Sequence, residues 1–134
     1  MSMTQRINEF LEAAAFGVAG ASAKRHKYGN KVLRCYLQNK CTVFPINPNE
    51  NQIEGIDCVA NINALPDSVT SLSVITPPLV TEQIVAQAIA RGIKNIWMQP
   101  GAESTEAVKL CEDAGINVIA DGSCLLVVMG YREH

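Results

Sequence analysis

The sequence predicts a three-layer α/β fold, a doubly wound parallel five-stranded sheet in the order 3-2-1-4-5 with helices on both faces. Three observations predict it. Short apolar runs of strand length alternate with amphipathic stretches of helical spacing along the chain. The units stop at glycine or proline, as at Pro77-Pro78, Gly92 and Gly115. The first apolar run, Phe16-Gly17-Val18-Ala19-Gly20, passes straight into Ala21-Ser22-Ala23 and the basic cluster Lys24-Arg25-His26-Lys27. That is the form of a buried strand ending in a phosphate-holding loop, because glycine lets main-chain N–H groups approach an anion and the following helix adds its positive end.

Each element has its own signal. Ser2-Met3-Thr4-Gln5 has the form of a capping box, and Ile7, Phe10, Leu11 and Ala14 follow at helical spacing, so a first helix is expected over 3–14. The first strand, 15–20, is apolar on both faces, as a strand buried between helices must be. Val32, Leu33, Tyr36 and Leu37 mark a helix over 29–38, and 40–47 reads as the second strand, ended by Asn47-Pro48-Asn49. Residues 50–66 are less regular, with a short helix near Ile62–Leu65. A third strand, 71–76, stops at Pro77-Pro78, and Ile84, Val85, Ala88 and Ile89 mark the helix closed by Gly92. A fourth strand (94–98), the loop Gln99–Ala102, a helix over 105–114 and a fifth strand (116–120) complete the pattern.

Composition narrows the function. One domain spanning 1–134 is expected from the length. A net charge of −2 argues against general nucleic-acid binding. Neither a signal-peptide core nor a membrane-length apolar run is present, so a cytoplasmic protein is expected. Five cysteines without a C-x-x-C pair suit reduced thiols, mostly core filler. His26 and His134 are the two histidines, too few for a histidine-rich metal site, and no metal is expected. The run Leu125–Met129 is more apolar than a tail should be, and it is expected to be covered by the core or by a second copy in a homodimer.

Ligands of such sheets bind beyond the carboxyl ends of the strands, where the winding reverses. With the first and fourth strands adjacent, Gly20–Tyr28 is expected to face Gln99–Ala102, with Asn47-Pro48 and Thr76-Pro77-Pro78 as the rim. The dinucleotide fingerprint G-x-G-x-x-G is absent, since the next glycine after Gly20 is Gly29. The acid that would hold a ribose diol at the end of the second strand is replaced by Asn47, and Glu50 comes late. A bare strand-to-helix turn and a solvated charged loop are the plain alternatives for this stretch.

Taken together, Gly20-Ala21-Ser22, Pro45–Asn49, Ile53-Glu54-Gly55, Leu65-Pro66, Thr76-Pro77-Pro78, Ala90–Lys94, Ile96–Ala102 and Asp121–Cys124 resemble the small stand-alone coenzyme A-binding proteins. Their Rossmann-like fold is similar to the nucleotide-binding domain of the succinyl-coenzyme A synthetase α subunit, and the resemblance spans nearly the whole chain. It implies coenzyme A, or an acyl-coenzyme A, as ligand. Gly20, Ala21, Ser22, Ala23 and Lys24 would take phosphate, and Asn47 and Pro48 would border the adenosine. Thr76, Pro77 and Pro78 would supply a rigid wall, while Gln99 and Gly101 close the opposite side. Tyr28, beside the loop, is read both as a ligand neighbour and as a structural residue.

The chain departs from the family at Asp121-Gly122-Ser123-Cys124, where many members have Asp-Arg-Cys. Cys124 is the cysteine expected nearest the ligand mouth, and an inert thiol is favoured over a reactive one. Trp97 and Met98 read as core. No nucleophile, base and orienting acid stand at recognisable spacing, so a binding module or sensor is favoured over an enzyme. A small NAD(P)-dependent oxidoreductase and a nucleotide-binding interaction subunit are the alternatives.

Overall fold

The computed structural model describes residues 1–133; His134 lies outside them. Helix α1 (Met3–Leu11) begins at the expected capping box, with Ser2 Oγ accepting from Gln5 N and Gln5 Oε1 accepting from Ser2 N. It stops three residues short of Ala14, because β1 (Ala15–Ala19) starts at once and the chain needs 12–14 to turn into the sheet. Every residue of β1 is buried. The chain continues through α2 (Tyr28–Gln38), β2 (Val43–Ile46), a hairpin of β3 (Gln52–Ile53) and β4 (Ile56–Asp57), and a 3-10 turn at Ile62–Ala64. Then follow β5 (Val69–Val74), α3 (Pro78–Arg91), β6 (Asn95–Met98), α4 (Thr105–Asp113), β7 (Asn117–Ile119) and α5 (Leu125–Val128).

The main sheet is parallel, in the order β2-β1-β5-β6-β7. With the parallel bridge between Ile46 and Val59 counted as the position outside β2, the order around β1 is the expected 3-2-1-4-5, continued by β7. The strand 69–74 thus takes the fourth place, directly beside β1, not the third place beyond β2. It also lies two residues earlier than the 71–76 read from sequence: Val69 pairs with Ala15 and Val74 with Ala19, and Ile75 N gives the last bond to the Ala19 carbonyl at 2.8 Å. The winding therefore reverses between β1 and β5.

Helices α1, α2 and α5 cover one face, where Phe10, Phe16, Leu33, Tyr36, Trp97 and Leu125 are buried together. Phe10 meets Trp97 edge-on at 5.3 Å and Phe16 stacks on Tyr36 at 4.8 Å, geometries that aromatic quadrupoles favour. Helices α3 and α4 cover the other face over Leu72, Val74, Val85, Ile96, Met98 and Ala107. Trp97 and Met98 are core, as expected. Of the apolar run at the end, Leu125 is buried, whereas Val127 is 79% and Val128 44% exposed. Among the described residues no helix is long and apolar enough to cross a membrane.

Candidate functional site

The site is built from the turn after β1. Gly20 has φ +92, and a Cβ there would overlap the Ile75 carbonyl and lie 3.3 Å from the Thr76 methyl, so only glycine fits. Gly29, in the first turn of α2, is pressed against the Gly20 carbonyl, and a Cβ would lie 3.0 Å from the Gly20 carbonyl carbon. The two glycines let strand, helix and loop come within van der Waals contact. Gly29, which the sequence reading counted only as evidence against a fingerprint, thus performs the close helix-to-strand packing that such fingerprints need.

Three side chains hold the loop from behind. Fully buried Asn30 donates to the Ser22 carbonyl (2.9 Å) and to Glu54 Oε2 (3.1 Å), and accepts from Arg34 Nε at 2.6 Å. Arg34 Nη2 donates to the Arg25 carbonyl at 2.7 Å. Asn47 Nδ2 donates to the Ala21 carbonyl at 3.1 Å, and its Oδ1 accepts from Asn49 N and Glu50 N. Carbonyls of the loop are drawn inward. The N–H groups of Ala21, Ser22 and Ala23 find no protein acceptor among the described residues, and α2 has Lys27 as its N-cap, which makes no side-chain capping bond.

Beside this loop lies a cleft of about 400 Å³. Gly20 and Ala21 line it together with Asn47, Pro48 and Thr76, the last three being residues the sequence reading placed on the rim. It also missed lining residues: Asn49, Ala60 and Asn61 follow β2, and Val80, Ile84 and Gln87 come from α3. Ile84 carried a signal, but its spacing marked only the helix closed by Gly92. Pro77 and Pro78 stand behind Thr76 as the N-cap and first residue of α3. Ser22, Ala23 and Lys24 continue the loop, and the Ser22 hydroxyl already accepts from Lys24 N at 3.1 Å.

The remaining sites fall elsewhere. Gly20 faces Ile75 and Thr76, not Gln99–Ala102, because β5 rather than β6 neighbours β1. Only Tyr28 reaches the expected partner loop, donating to Gln99 Oε1 at 3.2 Å and touching Cys124 Sγ. Gln99 is fully buried, and its Oε1 also accepts from Leu125 N at 2.9 Å, so it holds Tyr28 and α5 in place. Burial first, and the Cys124 contact second, push the Tyr28 phenol up from its ordinary range. Gly101 sits in an exposed turn with φ +94 and donates its N–H to Glu103 at 3.0 Å. Among the described residues no group of three or more His, Cys, Asp or Glu side chains is arranged to hold a metal ion.

A parallel sheet whose winding reverses at a glycine-tight loop with unpaired amides among the described residues, and with an apolar cleft alongside, has a Rossmann-like architecture. The chain belongs to the CoA binding domain family, whose pattern it matches over residues 14–129. It is 28% identical over 108 residues to an ADP-forming acetate–CoA ligase II of Archaeoglobus fulgidus, covering 79% of this chain but 16% of the ligase. A solved structure from Pyrococcus furiosus is similar at 37% identity and TM-score 0.81, covering 85% of this chain and 97% of that one. The dinucleotide-forming acetyl-coenzyme A synthetase 1 of Ca. Korarchaeum cryptofilum is similar over 85% of this chain and 27% of its own, at 24% identity and TM-score 0.74, a likeness of fold.

Proposed function

We propose that this protein binds coenzyme A or an acyl-coenzyme A as a non-catalytic module or sensor. The observation that carries this reading is the loop after β1, whose Ala21–Ala23 amides meet no protein acceptor among the described residues, beside a cleft of about 400 Å³. Family membership supports the same ligand. The main-chain N–H groups of Ala21–Ala23 hold the diphosphate, with Lys24 and Lys27 exposed nearby to favour its charge. The adenosine lies in the cleft between Asn47-Pro48 and Thr76, over Ile46, Ile62, Val80 and Ile84, where apolar walls and the amides of Asn49, Asn61 and Gln87 suit a purine. Asn47 spends both ends of its amide on backbone partners, which supports a ligand whose ribose is not read by an acid.

Gln99, after β6, holds Tyr28 at the start of α2, just past the loop, and the exposed Val127 and Val128 mark the face through which two copies would pair. Isothermal titration with coenzyme A tests the reading. Saturable binding is expected; a flat trace at millimolar ligand rejects it. Light scattering reads the pairing, and a monomer mass across micromolar concentrations rejects that part alone.

A further inference from the structure

The basic cluster after Gly20 is not a uniform row of free cations, because one member already has an anion. Arg25 Nη1 is bonded to Glu54 Oε1, and the other Glu54 oxygen accepts from Asn30, whose amide also holds the Ser22 carbonyl. Glu54 sits at the tip of the β3–β4 hairpin at φ +51, followed by Gly55 at φ +78. A two-residue turn with both φ positive favours Asn or Gly first, so a glutamate there is held at a local backbone cost. Its carboxylate is tucked in, at 19% side-chain exposure, while the Arg25 side chain is 55% exposed. The hairpin thus carries a fixed negative group to the arginine of a loop whose amides suit an anion.

We propose that Glu54 is a resident carboxylate that occupies Arg25 in the free protein and yields it to a ligand phosphate, so that this pair sets the affinity for the phosphorylated ligand. The inference rests on the phosphate-binding reading of the same loop. Asn30 and Arg34 keep the loop backbone in place while Arg25 changes partner, since they hold the Ser22 and Arg25 carbonyls and not the Arg25 guanidinium. Exchange of one exposed ion pair for another is worth a severalfold change in affinity, and it is weakened by salt.

Glu54→Gln tests it, because glutamine keeps an acceptor for Asn30 and removes the charge; Glu54→Ala is the second variant, of the same expected sign. Titrations of coenzyme A at low salt are expected to show binding about threefold tighter for E54Q than for the unsubstituted protein, with the gain shrinking as salt is raised. In an Arg25→Ala background the same substitution is expected to give no gain. Unchanged or weaker binding by both variants overturns the proposal. So does a gain that persists without Arg25, which marks general charge removal. Inorganic pyrophosphate is titrated in parallel: if neither anion binds any of these proteins, the latch and the phosphate-binding reading fail together. If the unsubstituted protein binds and the variants gain nothing, the latch fails alone.

Discussion

The Gly29 Cα packs against the Gly20 carbonyl, so the first turn of α2 rests directly on the turn that ends β1. Two positions nine residues apart are therefore closed to any side chain for one shared reason. Gly20→Ala adds the strain of a left-handed alanine to an overlap with the Ile75 carbonyl, and about 2–4 kcal/mol of stability should be lost. Gly29→Ala meets only the overlap, offset by better helix propensity, and about 1–2 kcal/mol is expected. Denaturant melts of the two variants check the order.

Asn47→Asp replaces a donor facing the Ala21 carbonyl by a carboxylate oxygen. Repulsion between the two oxygens should loosen the loop and cost about 1–2 kcal/mol, the lower part of the range for an acceptor left unpaired, since this bond is part-buried. Restoring an acid at the end of β2 should therefore lower the melting temperature and weaken coenzyme A binding, without giving NAD binding. A thermal-shift panel with both ligands reads all three outcomes.

Val80 lines the cleft from the first turn of α3 and is 40% exposed. Val80→Glu should leave stability nearly unchanged, because acids are accepted in a helix's first turn. Apolar wall is lost and a charged carboxylate is set under the adenosine, so coenzyme A affinity should fall about tenfold, roughly 1.4 kcal/mol. Titration of this variant separates the cleft from any other surface as the ligand's seat.

The Asn30 amide, ahead of the Arg25 guanidinium, holds the Glu54 carboxyl below the usual glutamate range. A carboxyl whose pKa is lower folded than unfolded adds stability above its unfolded pKa. That contribution is lost as pH falls through the folded value. The melting temperatures of the unsubstituted protein and of E54Q should therefore differ most near neutrality and converge in acid, below the ordinary carboxylate range.

Burial pushes the Cys35 thiol up to about 11 and the Cys111 thiol up to about 12. Both should resist thiol reagents near pH 8 while the protein is folded, and react once it is denatured. Peptide mapping after labelling under the two conditions gives the comparison.

Much of the fold was legible because β1, α3 and β6 carry unambiguous patterns: an all-apolar strand, a proline start with a glycine stop, and a short apolar run before Pro100. The place of the strand 69–74 was not. Its edges are set by pairing with Ala15 and Ala19, and the apolar pattern runs on through Ile75. The β3–β4 hairpin was missed since two-residue strands have no period to read, and with it went the partner of Arg25. In the site, Gly20, Asn47 and Thr76 could be found because each ends a strand. Val80 and Gln87 could not, since a helix face shows only its apolar character until the neighbouring strand order is known. The contact of Tyr28 with Gln99 and Cys124 spans 71 and 96 residues of sequence, and no local signal announces it.

The most direct measurement is a crystal structure of the protein grown with coenzyme A. It should show the diphosphate within hydrogen-bonding distance of the Ala21–Ala23 amides, with the adenosine between Asn47-Pro48 and Thr76. A ligand seated on another edge of the sheet, with the Asn47 corner vacant, would contradict the account of function and leave only the fold.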